Sequence, residues 1–219
     1  MLRAVIFDLD GVLIDSEPLM RLAFADSYQR IIGNGVPPIE AYLEHMGESF
    51  PRIMDRLNLP HSLWEPYKQF CQQHITQIKL FPGSREILEW ARAARLKVGL
   101  LTGKDRLRTL QILEHFEIQD LFDVTIASDQ LNRPKPHPEG VLKMLEELGC
   151  RATQSVMIGD AVNDIISAQG AGVKAIAITW GTKPERVQRL CQPDYIAHDW
   201  HALQQILEEL LTASNNTFN

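Results

Sequence analysis

Cysteine is scarce in the 219-residue chain: Cys71, Cys150 and Cys191 are the only three, and they stand far apart. They have no metal-like spacing, so they read as ordinary reduced thiols in a cytosolic setting. Long apolar runs are missing too, and nothing approaches the roughly 18–20 residues of a membrane span. The N-terminal apolar run is broken by acids too early to act as a signal peptide. There is no long basic block, and the formal net charge is -6 with 23% charged residues. That balance argues against a nucleic-acid binder relying on phosphate attraction. It does not exclude a small anionic substrate, because a local site can be positive on an acidic protein. The histidines (His45, His61, His74, His115, His137, His198, His201) show no metal spacing, and no internal repeat or low-complexity segment is visible. A soluble cytoplasmic protein, monomer or homodimer, is the expectation.

What is present begins with MLRAVIFDLDGVLID. Val5, Ile6 and Phe7 are apolar on every side, as in a strand of a parallel sheet buried on both faces. Asp8 and Asp10, two residues apart, share one side if the strand geometry persists. Ligands of open α/β sheets bind beyond the carboxyl ends of strands, where this pair falls. Two crowded carboxylates repel each other and favour an oxygen-seeking cation such as Mg²⁺. Gly11 lets the chain turn sharply or approach a ligand closely. Read locally, a strand followed by an acidic turn explains the stretch as well.

From residue 16 the pattern becomes helical. Ser16 is placed as a cap, with Glu17 and Pro18 in the first turn. Helical character continues through Glu40–His45, Phe50–Leu57 and Leu63–Ile78, punctuated by Gly33-Asn34-Gly35, Pro37-Pro38 and Pro60. No strand is expected between about residues 16 and 80. After the breaker Phe81-Pro82-Gly83, Ser84 is expected to cap a helix to about Arg95. Strands at Val98–Leu101, Val124–Ala127, Val156–Ile158 and Ala175–Ile178 then alternate with helices at Asp105–Phe116, Glu139–Leu148 and Ile165–Gly170. The fold class is α/β, a Rossmann-like doubly wound parallel sheet with an inserted helical cap. The core spans 1–15 and 81–219, and the cap 16–80. A helix at Leu203–Leu211 closes the core, and Asn215–Asn219 is a frayed tail.

Three further polar motifs follow predicted strands. Thr102-Gly103 offers a hydroxyl and a backbone N–H to a phosphate oxygen, or else a helix cap and turn glycine. Lys135, flanked by Pro134 and Pro136, is aimed by a stiffened backbone at a phosphate and an aspartate, or else lies solvated at a helix entry. Asp160 ends another apolar strand and offers a metal ligand. Asp164, one helical turn on, offers support from behind it. Helix capping by Asp160 or Asn163 is the plainer alternative.

Together DLDGVLIDS, Thr102, Lys135 and Gly159-Asp160-x-x-x-Asp164 resemble the haloacid-dehalogenase-superfamily phosphatases. The closest likeness is to the phosphoglycolate phosphatase and β-phosphoglucomutase-like branch, and it covers nearly the whole chain. The resemblance implies that Asp8 is the nucleophile and Asp10 the acid and base. It also implies Mg²⁺ on Asp8, the Asp10 carbonyl and Asp160, with Thr102, Gly103 and Lys135 on the phosphoryl group. The acid at position 10 separates the chain from dehalogenases and phosphonatases, and the helical insert separates it from receiver domains. A cap of this type implies a small phosphorylated metabolite. Arg52, in Gly47-Glu48-Ser49-Phe50-Pro51-Arg52, is placed to contact a second anionic group, or else is a solvated arginine at a helix start. That stretch, with Leu101-Thr102-Gly103-Lys104 and Thr179-Trp180-Gly181, is also similar to phosphatases associated with aminohydroxybenzoate biosynthesis. Two rivals stay open: a β-phosphoglucomutase-like phosphomutase, and a non-catalytic ligand-binding regulator on the same fold. Tyr42, Phe50, Trp64, Tyr67 and Phe70 are read as packing inside the cap.

Overall fold

The structure is a computed structural model, and it describes residues 1–181, 187 and 190–212. Six parallel strands form one sheet in the order β5-β4-β1-β6-β7-β8. They are β1 (Ala4–Phe7), β4 (Lys97–Leu101), β5 (Val124–Ile126), β6 (Ser155–Gly159), β7 (Lys174–Ile178) and β8 (Tyr195–Ala197). The register pairs Phe7 with Leu100 on one side and with Ile158 on the other, so three strands end together.

Alternation along these strands splits their side chains between two hydrophobic layers. Val5, Phe7, Val98, Leu100, Val156, Ile158, Ile176 and Ile178 face one layer. That layer is covered by α5 (Ser84–Ala93), α6 (Arg106–His115) and α9 (Trp200–Thr212). Ala4, Ile6, Leu101, Met157, Ala175 and Ala177 face the other, under α7 (Glu139–Leu148) and α8 (Val162–Gly170). Each fully buried Val, Ile, Leu or Phe contributes about 1.5–3 kcal/mol relative to exposure. The central strands are therefore the hardest part of the chain to open, and the loops at their ends stand on a rigid base. The doubly wound fold is the one expected.

Between β2 (Ile14–Asp15) and β3 (Lys79–Leu80) lie α1 (Glu17–Ile31), α2 (Ile39–Leu43), α3 (Phe50–Leu57) and α4 (Trp64–Gln73). These helices share a separate core in which Phe24, Tyr42, Phe50, Met54, Leu63 and Tyr67 are buried. Tyr42 stacks on Phe24 at 4.3 Å between ring centroids and takes a hydrogen bond to or from the Tyr67 hydroxyl at 2.8 Å. A buried phenol needs such a partner.

Several local expectations are corrected. A short strand does occur before residue 81, because Lys79–Leu80 pairs antiparallel with Ile14–Asp15 and ties the two ends of the helical block together. Ser16 and Ser84 do not cap their helices. The Ser16 hydroxyl donates to the Asp10 carboxylate, and the Ser84 hydroxyl donates 2.8 Å to the Leu13 carbonyl. Tertiary acceptors have taken both hydroxyls from the adjacent helix ends. The helix expected over Leu63–Ile78 ends at Gln73, where the chain passes into a short 3₁₀ turn, Ile75–Gln77. Strand β8 was not anticipated: three residues with one exposed isoleucine carry little pattern. The expected tail, Asn215–Asn219, lies outside the described residues.

Candidate active site

From β1 the chain builds outward through β4 to β5, then crosses back to β6 and continues to β8 on the other flank. The reversal leaves a crevice beyond the carboxyl ends of β1, β4 and β6, the position at which open α/β sheets take ligands. Asp8, Thr102 and Asp160 are the first residues past those three strands.

Asp8 is buried, and its backbone N–H still donates into the sheet, to the Ile158 carbonyl at 3.0 Å. Lys135 arrives from the loop before α7 and is buried rather than solvated. Its ammonium donates to Asp8 Oδ1 at 2.8 Å, Asp164 Oδ1 at 2.6 Å and the Leu101 carbonyl at 3.2 Å. Asp164 spends its second oxygen on the Ala161 N–H at 3.1 Å, which fixes the carboxylate against the start of its own helix. Carboxylate oxygens of Asp8, Asp160 and Asp164 lie within 4.8 Å of one another. Gly11 passes so close to Asp160 that a Cβ there would collide with its carboxylate, and its φ of +76° also favours glycine.

Asp8 and Asp164 share one buried ammonium, with the Asp160 carboxylate close by. Burial pushes the Asp8 carboxyl up to about 7; Lys135 opposes the rise, while Asp164 and Asp10 add to it. Burial and the two carboxylates work in opposite directions on Lys135, and the carboxylates win, so its ammonium is held above the usual lysine range. A divalent cation with oxygen ligands fits this donor set of clustered carboxylate oxygens, and its charge would oppose the rise on Asp8.

Asp10 lives in a different field. Burial alone would raise it, but Lys104, with Nζ 3.0 Å from Oδ1, and the Ser16 hydroxyl hold it below the usual carboxylate range. Thr102 is not a helix cap. Its oxygen accepts the Lys104 N–H at 3.1 Å, and α6 is capped instead by Asp105, which accepts from the Arg108 N–H. Thr102 therefore keeps its hydroxyl proton for another acceptor. Gly103 marks the meeting of core and helical block, because a Cβ there would lie 2.5 Å from the Gly47 carbonyl oxygen.

Arg52 is not brought to this cluster. It sits in the first turn of α3 with its side chain 40% exposed, 3.6 Å from Glu48 Oε2, and one N–H reaches the Pro134 carbonyl at 3.5 Å. Sequence reading passed over Lys104, Ser16 as a partner of Asp10, and Arg108. Arg108 is buried, paired with Asp105, with its guanidinium 4.7 Å from the Trp64 ring centroid and 5.3 Å from that of Tyr67. The Asp105-x-x-Arg108 spacing signals a local ion pair, but nothing in it announces an aromatic partner forty residues away.

A small chamber of about 30 Å³ is lined by Asp8, Asp10, Gly103, Lys104 and Arg108 together with residues of the helical block. Beside it opens a cavity of about 1080 Å³. Among the described residues, no helix is long and apolar enough to cross a membrane.

Fold and site together define a Rossmann-like hydrolase core with its charged groups at a switch-point crevice. A model of the haloacid dehalogenase-like hydrolases matches residues 5–178, and the chain belongs to that family as an enzyme of its phosphatase kind. The phosphorylated carbohydrates phosphatase of Thermotoga maritima is 32% identical over 186 residues, 80% of this chain and 84% of that protein. Pyrophosphatase PpaX of Bacillus mycoides is 27% identical over 212 residues, 95% and 98% of the two chains. Among solved structures, a haloacid dehalogenase-like family hydrolase from Streptococcus pneumoniae superposes with a TM-score of 0.79 at 25% identity, covering 94% of this chain and 98% of the other.

Proposed function

We propose that this chain is a Mg²⁺-dependent phosphatase that hydrolyses a small phosphorylated metabolite, phosphoglycolate or sugar phosphate-like, through an aspartyl-phosphate on Asp8. The observation that carries the reading is the meeting of Asp8, Asp160 and Asp164 at the switch point, with a buried lysine between Asp8 and Asp164. Asp8, Asp160 and the Asp10 main-chain carbonyl would hold the ion, with Asp164 behind them. When bound, Mg²⁺ supplies positive charge that keeps Asp8 ionised and draws charge from the phosphate oxygens.

An Asp8 oxygen attacks phosphorus as the bond to the ester oxygen breaks, and water later returns the enzyme carboxylate and releases phosphate. Lys135 neutralises charge on Asp8 and on the transferring group, and the Thr102 hydroxyl with the Gly103 N–H donates to its oxygens. Asp10 gives a proton to the leaving oxygen and takes one from the attacking water. Lys104 and Ser16 favour its ionised form, which suits the second step. For the first, the Lys104 ammonium must move off. Residues 16–80 act as the cap over a core of 1–15 and 81–219, hinged at the paired segments Ile14–Asp15 and Lys79–Leu80.

The test is phosphate release from a panel of phosphorylated metabolites, with Mg²⁺ and with chelator, by wild type and Asp8→Asn. Release only by wild type with Mg²⁺ is expected. Equal release after chelation, or undiminished turnover by Asp8→Asn, contradicts the proposal.

A further inference from the structure

The wide cavity adjoins the small chamber. Phe50, Gly103 and Arg108 line both the small chamber that holds Asp8 and Asp10 and the cavity of about 1080 Å³ next to it. Pockets of about 300–1,000 Å³ are the size that encloses drug-sized ligands. The cavity exists while the helical block rests on the core: Gly47 meets Gly103 on one side of it, and Arg52 reaches the Pro134 carbonyl on the other. Seating the block has not squeezed it shut.

We propose that this cavity receives the organic part of the substrate, so that the preferred substrates are phosphate monoesters with a bulky, ring-bearing body rather than pyrophosphate or a two-carbon acid. The proposal rests on the phosphatase reading and narrows it to the sugar phosphate-like alternative, setting phosphoglycolate aside. A pyrophosphate or a two-carbon ester is too small to fill a cavity of about 1080 Å³. A larger ester displaces water from it. Pro134, Pro136, Phe50 and Trp64 line the cavity alongside Arg52, Lys68 and Arg133, and proline loses no side-chain freedom on contact. Arg108 is fixed by Asp105 and Trp64, which gives the entering ester a rigid edge. In the reaction the phosphoryl group passes from the ester oxygen to Asp8, the oxygen leaves with a proton as an alcohol, and the alcohol departs through the cavity.

Leu107 lines the cavity and is 56% exposed on α6, so a larger side chain there fills space without entering the core. Asn132 lines it from an exposed loop and gives a second, independent approach. The experiment compares kcat/KM of the full chain with Mg²⁺ on small probes (pyrophosphate, phosphoglycolate, acetyl phosphate) and ring-bearing ones (1-naphthyl phosphate, pyridoxal 5′-phosphate, adenosine 5′-monophosphate). At least one ring-bearing probe is expected to exceed every small probe by about tenfold or more, and Leu107→Trp or Asn132→Trp to cut that ratio by about tenfold. Small probes matching or exceeding the others overturns the proposal while leaving the phosphatase reading intact. So does a ratio that neither variant changes. No Mg²⁺-dependent release from either set overturns the phosphatase reading, and this proposal with it.

Discussion

The small chamber and the wide cavity adjoin but are built on opposite principles. In the chamber every charge faces another: Lys135 against Asp8 and Asp164, Lys104 against Asp10. These groups hang from strand ends and tight loops of the most deeply buried part of the sheet, and their positions are fixed by backbone. The cavity is bounded by prolines, Phe50, Trp64 and the edge of α6, with Arg52, Lys68 and Arg133 among them, contributed in part by the helical block. Preorganised charge suits a step that is the same for every phosphate ester, whereas apolar walls suit the part of the substrate that varies. The chamber is thus the place where substitutions change chemistry and stability together. At the cavity they are expected to change selectivity.

The largest test of that contrast is Lys135→Met. Removing one partner from a buried ion cluster leaves its carboxylates uncompensated and costs about 3–5 kcal/mol. Chemical denaturation should show that loss, and a change within experimental error would mean that the cluster is not the tight unit described.

Metal and pH come next. Asp8 rises from an ordinary 3.8 to about 7 in the fold. A carboxyl with a raised folded-state pKa binds its proton more tightly than in the unfolded chain. Its contribution is therefore complete below about pH 4 and is lost as pH climbs towards 7, by up to about 1.4 kcal/mol per unit. Metal-free protein should melt at lower temperature as pH rises through that window. Protons and Mg²⁺ compete for the same oxygens, so the rise in Tm on adding Mg²⁺ should be larger near pH 7.5 than near pH 5. An equal rise at both would separate Asp8 from the ion.

A smaller effect is expected at Lys104→Met. Burial no longer offset by that ammonium should raise the Asp10 pKa, read by carbon NMR titration of the carboxylates. A pKa left in place would shift the credit to Ser16. The smallest is Arg108→Lys, which keeps a cation beside Asp105 and loses the guanidinium stacking on Trp64 and Tyr67, about 0.5–2 kcal/mol. Differential scanning calorimetry should resolve it, and no loss would make that contact incidental.

The same contrast explains what could be read from the chain. Asp8, Thr102 and Asp160 each follow an apolar strand, and a buried parallel sheet forces such residues to one edge. Their approximate placement was therefore legible in a linear pattern. Lys135 could be read as a lysine stiffened by prolines, but which acids it would meet depends on folding across 127 residues. Ser16 read as a helix cap because its neighbours are Glu17 and Pro18. Asp10, six residues back, turned out to be the better acceptor. Arg108 and the cavity were invisible for a deeper reason: they exist only where α6 meets α3 and α4, and no local pattern encodes that meeting. Arg52 was legible as a cap residue near the mouth, yet it comes to rest beside Glu48 and Pro134 rather than among the acids.

On the proposed mechanism Asp8 carries the phosphoryl group. Rapid quenching of the Mg²⁺-loaded enzyme during turnover of a radiolabelled phosphate ester, followed by peptide mapping, tests it directly. Label bound covalently to the peptide containing Asp8, and absent from Asp8→Asn, is the predicted result. Phosphate released in a full turnover with no label on the chain, or with label on another residue, would contradict it.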